Sequence, residues 1–214
     1  MGSEEFIFLL IGLKSTVLLS AVGFVCGCLA GLAVALARTS GMPWLERLTS
    51  AYIAVFQGTP LLMQLFVTYY GLALIGFKLD AWEAVAIGLT LHASAYLGEI
   101  WRGAIEAVPR GQTEAAKALS LKYVSRMKDI ILPQALRISL PATIGFLVQL
   151  IKGTSLASIV GFTELTRAGN IISNQIFQPL TVFGIVGILY FLMCCPLTIL
   201  GARLERRFNA AHAR

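Results

Sequence analysis

The residues of this chain best placed to do chemistry are few, and most sit inside apolar sequence. Lys152-Gly153-Thr154-Ser155-Leu156 sets an ammonium group, a glycine and two hydroxyls between the apolar runs Ile138 to Ile151 and Ala157 to Phe162. A charged side chain at membrane depth is costly, so it marks a solute path or a gate. Irregular backbone is tolerated there only where protein or water covers it. The segment is expected to break its span and line a path, with Lys152 as the principal group. The alternative is that Lys152 satisfies the carbonyls of the broken helix or snorkels outward. Glu164, three residues before Arg167, offers a carboxylate to an amino group or a cationic side chain, or else pairs with Arg167 at the surface. Glu99 and Arg102, also three apart, have the spacing of an interfacial ion pair rather than of a proton path.

A second kind of chemistry is docking. Glu114-Ala115-Ala116-Lys117-Ala118-Leu119-Ser120, followed by Ile130-Ile131-Leu132-Pro133, is a short polar helical cassette among apolar runs. Its alanines favour helix, Tyr123 and Met127 share a face at a spacing of four, and Pro133 closes the run. Too polar to span a bilayer and too short to fold alone, it is best explained as a surface that another subunit holds.

Sites of other kinds are missing from the sequence. There is no Walker A run for nucleotide phosphates, no nucleophile elbow and no histidine metal motif. The chain is not expected to bind ATP, a metal or a cofactor of its own. His92 lies in an apolar span, where a hydrogen-bonded packing role is expected, and His212 stands alone. Cys26 and Cys28 share one apolar run and Cys194 and Cys195 another, which suits buried, reduced packing residues.

The elements that position these groups follow from composition. Hydrophobic residues make up 57% and charged residues 13%, with a mean hydropathy of +0.79. That is too little polar surface for a water-soluble globule, so an all-α integral membrane protein with a single domain over residues 1–214 is expected. A crossing takes ~20 mainly apolar residues. The first run, Phe6 to Ala37, is interrupted by Lys14, giving a partly interfacial lead and a crossing from Ser15. It is too long for a cleavable signal and is preceded by Glu4 and Glu5. Met1-Gly2-Ser3 has the look of a cloning remnant. Gly23, Gly27 and Gly31 make a smooth stripe for a neighbouring helix, inside the chain or on another subunit. In the second run, Gln57-Gly58-Thr59-Pro60 must bend or break the helix, leaving an interfacial helix to Phe56 and a crossing from Leu61 to about Ile75. Ala84 to Trp101, the run broken at Lys152, and Leu180 to Leu200 complete five crossings.

Charge orients them. Arg38, Arg47, Arg102, Arg110, Lys117, Lys122, Arg126, Lys128, Arg137, Arg203, Arg206 and Arg207 fall on one side, against Lys14, Lys78 and Arg167 on the other. By the positive-inside rule the cassette and the C-terminus are cytoplasmic and the N-terminus external. The net charge of +6 therefore reports topology and not a nucleic-acid partner.

The cassette, from Gly111-Gln112 through Pro133-Gln134-Ala135-Leu136-Arg137 and Pro141, resembles the coupling loop of permease subunits of type I ABC importers. Phe56-Gln57-Gly58-Thr59-Pro60-Leu61-Leu62, Ala95-Tyr96-Leu97-Gly98-Glu99-Ile100-Trp101-Arg102-Gly103 and Lys152-Gly153-Thr154-Ser155-Leu156 resemble the branch that takes up polar amino acids and opines. The resemblance implies a multi-pass subunit of the bacterial cytoplasmic (inner) membrane. Its partners would be two ATPase subunits that hold ATP and Mg, a second permease, identical or homologous, and an extracytoplasmic amino-acid-binding protein, with lipid around it.

It also assigns roles. Within a loop of about residues 103–137, Gln112 to Leu119 and Lys122 to Leu132 would be two coupling helices. Gly111, Gln112, Glu114, Ala115, Ala116, Lys117, Leu119, Ser120, Tyr123, Arg126 and Pro133 would form the ATPase seat. Lys152 to Leu156 and Glu164 would lie along the path, Glu164 at its outer mouth. Gly58, Thr59, Pro60, Glu99 and Arg102 would be structural. Two positions depart from the pattern. Ser120 stands where glycine is usual, and serine reaches a left-handed turn only with strain. Gln57 stands where arginine is usual, removing a fixed charge. An ion-driven carrier could also use a broken helix and Lys152, but it has no need of the cassette. An ABC permease for another small solute, or a non-transporting scaffold, are the remaining readings.

Overall fold

The structure is a computed structural model that describes residues 2–212, with side chains placed as far as Phe208. Met1 of the N-terminal tripeptide and the side chain of His212 lie outside the described residues. No strand occurs among the described residues; eight helices joined by short connections make up the bundle.

Helix α1, Ser3–Arg38, is continuous, about 54 Å long by its residue count. Lys14 is exposed on it and does not interrupt it, so the expected interfacial lead is simply the first turns of the same helix. Its glycine stripe works inside the chain. Gly23, Gly27 and Gly31 face Leu89, Ala93 and Leu97 of α4, and a Cβ on Gly27 would lie 2.4 Å from that of Ala93.

Helix α2, Pro43–Gly58, and helix α3, Leu61–Leu74, meet at 107°. Thr59 and Pro60 are extended between them, as the Gly-Thr-Pro sequence predicts. Helix α4, Ala81–Glu106, starts from a capping box: Asp80 accepts from the Glu83 N–H at 2.8 Å, and Glu83 Oε2 accepts from the Asp80 N–H at 3.1 Å. Helix α5, Arg110–Ala118, follows after a three-residue connection.

Helix α6 overturns two expectations. It runs unbroken over Tyr123–Val160, so Pro133 does not close a separate coupling helix and Lys152-Gly153 does not break the span. At Pro133 the cause is a widened turn over Met127–Ile131, where the Leu132 N–H reaches back to Met127 O. An extra residue per turn gives the proline ring and its missing N–H room within the helix. At Gly153 the backbone stays right-handed and the helix tightens to i→i+3 bonding over Thr154–Val160. It ends at Gly161, whose φ of 92° suits glycine.

Helix α7, Leu165–Ile176, and helix α8, Pro179–His212, complete the bundle. The last span therefore begins one residue before Leu180 and continues helically through the basic tail. Buried side chains form a central cluster between α1, α3, α4 and α6, which includes Leu19, Leu65, Leu89 and Leu150. One end of the bundle is closed by Leu9, Leu165, Ile172 and Val182. The other is closed by Ala104, Val108, Met127, Ile131 and Ala135, with Leu36 packed against them.

Candidate coupling surface and transport path

The ends of α1, α4 and α6 that share the Ala104 and Met127 cluster carry α5 and the turn after it. Ala116 is 1% exposed, so it is the anchor of α5 on its own chain and not a contact offered to a partner. Gly111, Gln112, Glu114, Ala115, Lys117, Leu119 and Ser120 are exposed around it. Ser120 does take the left-handed conformation, with φ 55°. Its N–H bonds Lys117 O at 2.9 Å and the Leu121 N–H bonds Ala116 O at 3.0 Å. Those two bonds are the Schellman closure of a helix end, and they hold Ser120 in the glycine conformation.

Tyr123 and Met127 do not share an environment. Met127 is buried in the cluster, whereas Tyr123 is 43% exposed with the Arg126 guanidinium 5.4 Å from its ring centre. The Met127 N–H bonds Tyr123 O at the regular spacing of four, so the difference is one of depth: Tyr123 opens the helix at the exposed turn and Met127 lies one turn further into the cluster. Leu119 and Val124, 74% and 71% exposed, complete an apolar patch at the turn. Val124 was not singled out from the sequence. Its signal would have been an apolar residue on the polar side of a strained turn. Pro133 is exposed further along α6.

Along the expected path the hydroxyls are turned inward. Thr154 Oγ1 donates to Ile151 O and Ser155 Oγ to Lys152 O, each at 2.7 Å, so both bond their own helix. Thr154 is buried, Ser155, Leu156 and Gly153 are half-buried, and Lys152 is exposed. With no broken helix there are no freed carbonyls for Lys152 to satisfy.

Glu164 is 0% exposed and caps α7. Its oxygens accept from the N–H groups of Thr166 at 2.9 Å and Arg167 at 2.8 Å, and from the Tyr190 hydroxyl at 2.8 Å. Burial pushes its carboxyl up from the ordinary range, and these donors pull the other way. The alternative reading, a surface salt bridge to Arg167, is not what forms. The Arg167 side chain donates from Nη1 to Ser158 O at 2.8 Å instead. A carboxylate so enclosed is a capping group, not an open ligand for a cationic solute. Glu99 meets the sequence expectation: Arg102 donates to its two oxygens from Nε at 2.9 Å and Nη2 at 2.6 Å, and also pairs with Glu106.

Gly58, Thr59 and Pro60 form the corner between α2 and α3, and it is closed by a residue that sequence reasoning missed, Gln64. His92 is buried and hydrogen-bonded, as expected of a packing residue, with Gln64 as its partner at 2.9 Å. The signal was present as a glutamine four residues past Pro60 in an otherwise apolar run.

A helical membrane bundle that presents a polar helix and turn from its basic end has the form of a permease subunit driven by other subunits. The chain belongs to the family of binding-protein-dependent transport system inner membrane components, whose profile matches residues 23–210. It is a multi-pass permease subunit of an ABC importer, and ATP hydrolysis falls to separate subunits. Among its relatives is the probable amino-acid ABC transporter permease protein YckA of Bacillus subtilis (strain 168). The two are 36% identical over 208 residues, which is 97% of this chain and 92% of the relative. The arginine transport system permease protein ArtQ of the same organism is 33% identical over 204 residues, 95% and 93% of the two chains. The crystal structure of an amino acid ABC transporter with histidines matches with a TM-score of 0.88 at 34% identity, over 95% of each chain. The inward-facing MetNI methionine ABC transporter has a TM-score of 0.83 at 22% identity, which is a likeness of fold.

Proposed function

We propose that this chain is the membrane subunit of an importer for polar amino acids. It pairs with a second permease, identical or homologous, and sits on two ATPase subunits that hold ATP and Mg. An extracytoplasmic amino-acid-binding protein docks on its outer face. ATP binding closes the ATPases, draws the coupling turns together and opens the outer face; hydrolysis returns the inward-facing state. The single observation that carries the coupling role is the apolar patch of Leu119, Tyr123 and Val124, set among Arg110, Glu114, Lys117 and Arg126 and anchored through Ala116. Apolar side chains exposed at a basic, membrane-external turn need a protein partner.

The chain is one domain that crosses five times, through α1, the α2–α3 pair, α4, α6 and α8. Three helices and the bent pair are long and apolar enough by themselves. Helix α4 is about 39 Å long and covered by its neighbours, so Ser94 and His92 need not meet lipid. The N-terminus is external and the C-terminus cytoplasmic. The gathering of Arg38, Arg102 and the Arg110 to Arg137 segment around one end cluster supports that orientation. Lys152 faces the solute path from α6.

The test is reconstitution with the ATPase and the binding protein in vesicles, followed by uptake of radiolabelled L-arginine, L-glutamine and L-cystine. ATP-dependent uptake that needs the binding protein is expected. Uptake driven by an ion gradient without ATP would replace this reading with a secondary carrier. Lys152→Met is expected to reduce uptake while the complex still assembles, and normal uptake would return Lys152 to the lipid or subunit boundary.

A further inference from the structure

In a regular helix the N–H of residue 60 would bond the carbonyl of Phe56. Residue 60 is proline and has no N–H, so this carbonyl is orphaned at the corner between α2 and α3. An orphaned backbone group in apolar surroundings is strongly unfavourable. Gln64 supplies the missing donor. Its Nε2 lies 2.7 Å from Phe56 O and 3.0 Å from both Thr59 O and Thr59 Oγ1. Thr59 Oγ1 in turn donates to Val55 O at 2.7 Å.

The other end of the same amide reaches α4. Gln64 Oε1 is 2.9 Å from His92 Nδ1, and because an amide oxygen only accepts, that nitrogen carries the proton. The imidazole packs against two aromatic rings, Tyr96 at 4.5 Å and Phe146 of α6 at 6.1 Å between centroids. A second tie joins α2 to α4: the Tyr52 hydroxyl lies 2.8 Å from Leu91 O and 2.6 Å from Ser94 Oγ. Gly88 lets α3 approach closely, since a Cβ there would lie 2.8 Å from a Leu65 methyl carbon.

We propose that Gln64 is a positioning residue for transport: anchored by His92, it locks the corner to α4 so that α2, α3 and α4 turn as one body. Helix α4 leads into α5 through a three-residue connection, so displacement of the coupling turn reaches α4 by way of α5. The Gln64 amide then passes it to the corner. The inference rests on the transport reading given above. It goes further in assigning a task to one buried side chain of the corner.

The experiment uses the reconstituted complex with Gln64→Leu, His92→Phe and the double variant, and the same three amino acids as probes. His92→Phe keeps the ring against Tyr96 and Phe146 but loses the hydrogen bond. Each single variant is expected to lower uptake per ATP hydrolysed by roughly tenfold, and the double variant no further than the worse single. His92→Gln, which keeps a donor for Gln64, is expected to recover most of the loss. Losses that multiply in the double variant, or uptake that falls only in step with the amount of assembled complex, overturn the proposal.

A physical readout separates this from the transport reading. Spin labels at Leu48→Cys and Leu74→Cys, in a chain whose four native cysteines are replaced by alanine, report the corner. One narrow distance with and without ATP is expected for the parent, and a broad distribution for Gln64→Leu. A narrow distribution in that variant overturns the proposal whether or not the vesicles take up any probe.

Discussion

The interior of α4 and the exposed turn after α5 both carry polar groups next to apolar ones, yet they handle them in opposite ways. Around α4 the polar side chains find partners on neighbouring helices of the same chain. Gln64 meets His92, Tyr52 meets Ser94, and the Trp101 N–H meets Thr143 Oγ1 at 3.0 Å. At the turn, Leu119 and Val124 lie open and Ser120 is held in a left-handed conformation. Inside the bilayer the chain has no other source of hydrogen bonds, so it must close its own account. Outside it, water and a second protein can complete the surface. Interior changes should therefore cost folding, and changes at the turn should cost association.

The sharpest way to break this contrast is Gly27→Leu. A Cβ alone would overlap Ala93, so α1 and α4 must separate, at about 3 kcal/mol by the upper end of overpacking costs. Thermal stability of the detergent-solubilised complex is expected to fall steeply. Gly103→Ala, with nothing within 4 Å, is expected to change nothing and serves as its control. Next comes Leu119→Asp with Val124→Asp. Affinity for the ATPase should drop at least about tenfold, or 1.4 kcal/mol, while the melting temperature of the isolated subunit holds. Unchanged affinity in a pull-down titration would remove the docking role of the patch.

Glu164→Ala is expected to cost about 1–2 kcal/mol, because it removes the cap of α7 and the partner of Tyr190. The milder Glu164→Gln should leave the KM for uptake unchanged, and a large rise in KM would restore a ligand role. The smallest effect belongs to Ser120→Gly. Relief of about 1–2 kcal/mol of left-handed strain, less about 0.5–1 kcal/mol for the freedom glycine loses on folding, is expected to leave a small local gain, seen as slower amide exchange from Leu119 to Lys122.

Features written in local spacing were legible in the sequence. The Gly-Thr-Pro corner was, because proline removes a donor wherever it sits. So were the glycine stripe, the Glu99–Arg102 pair and the short polar helix Arg110–Ala118. The stripe's partner was not, since a smooth face does not say which helix lies on it. Pro133 and Lys152-Gly153 misled for a shared reason. Both look like breaks, but a helix can absorb a proline by widening one turn, and a glycine within right-handed backbone breaks nothing. Glu164 misled because its partners come from 26 residues away, at Tyr190, as well as from the next turn. Gln64 was hidden similarly: the acceptor it serves is visible in sequence, but its anchor at His92 lies on another helix.

The unbroken course of α6 has one more consequence. From Tyr123 at the coupling turn to Val160 beside the Glu164 cap it is a single rod, about 57 Å long. Its hydrogen bonding is continuous, so bending is confined to the widened turn and to Pro133 and Pro141. On the function proposed above, a tilt imposed at the Tyr123 end is carried to the Val160 end, which would put the ATPases and the outer mouth of the path mechanically in series.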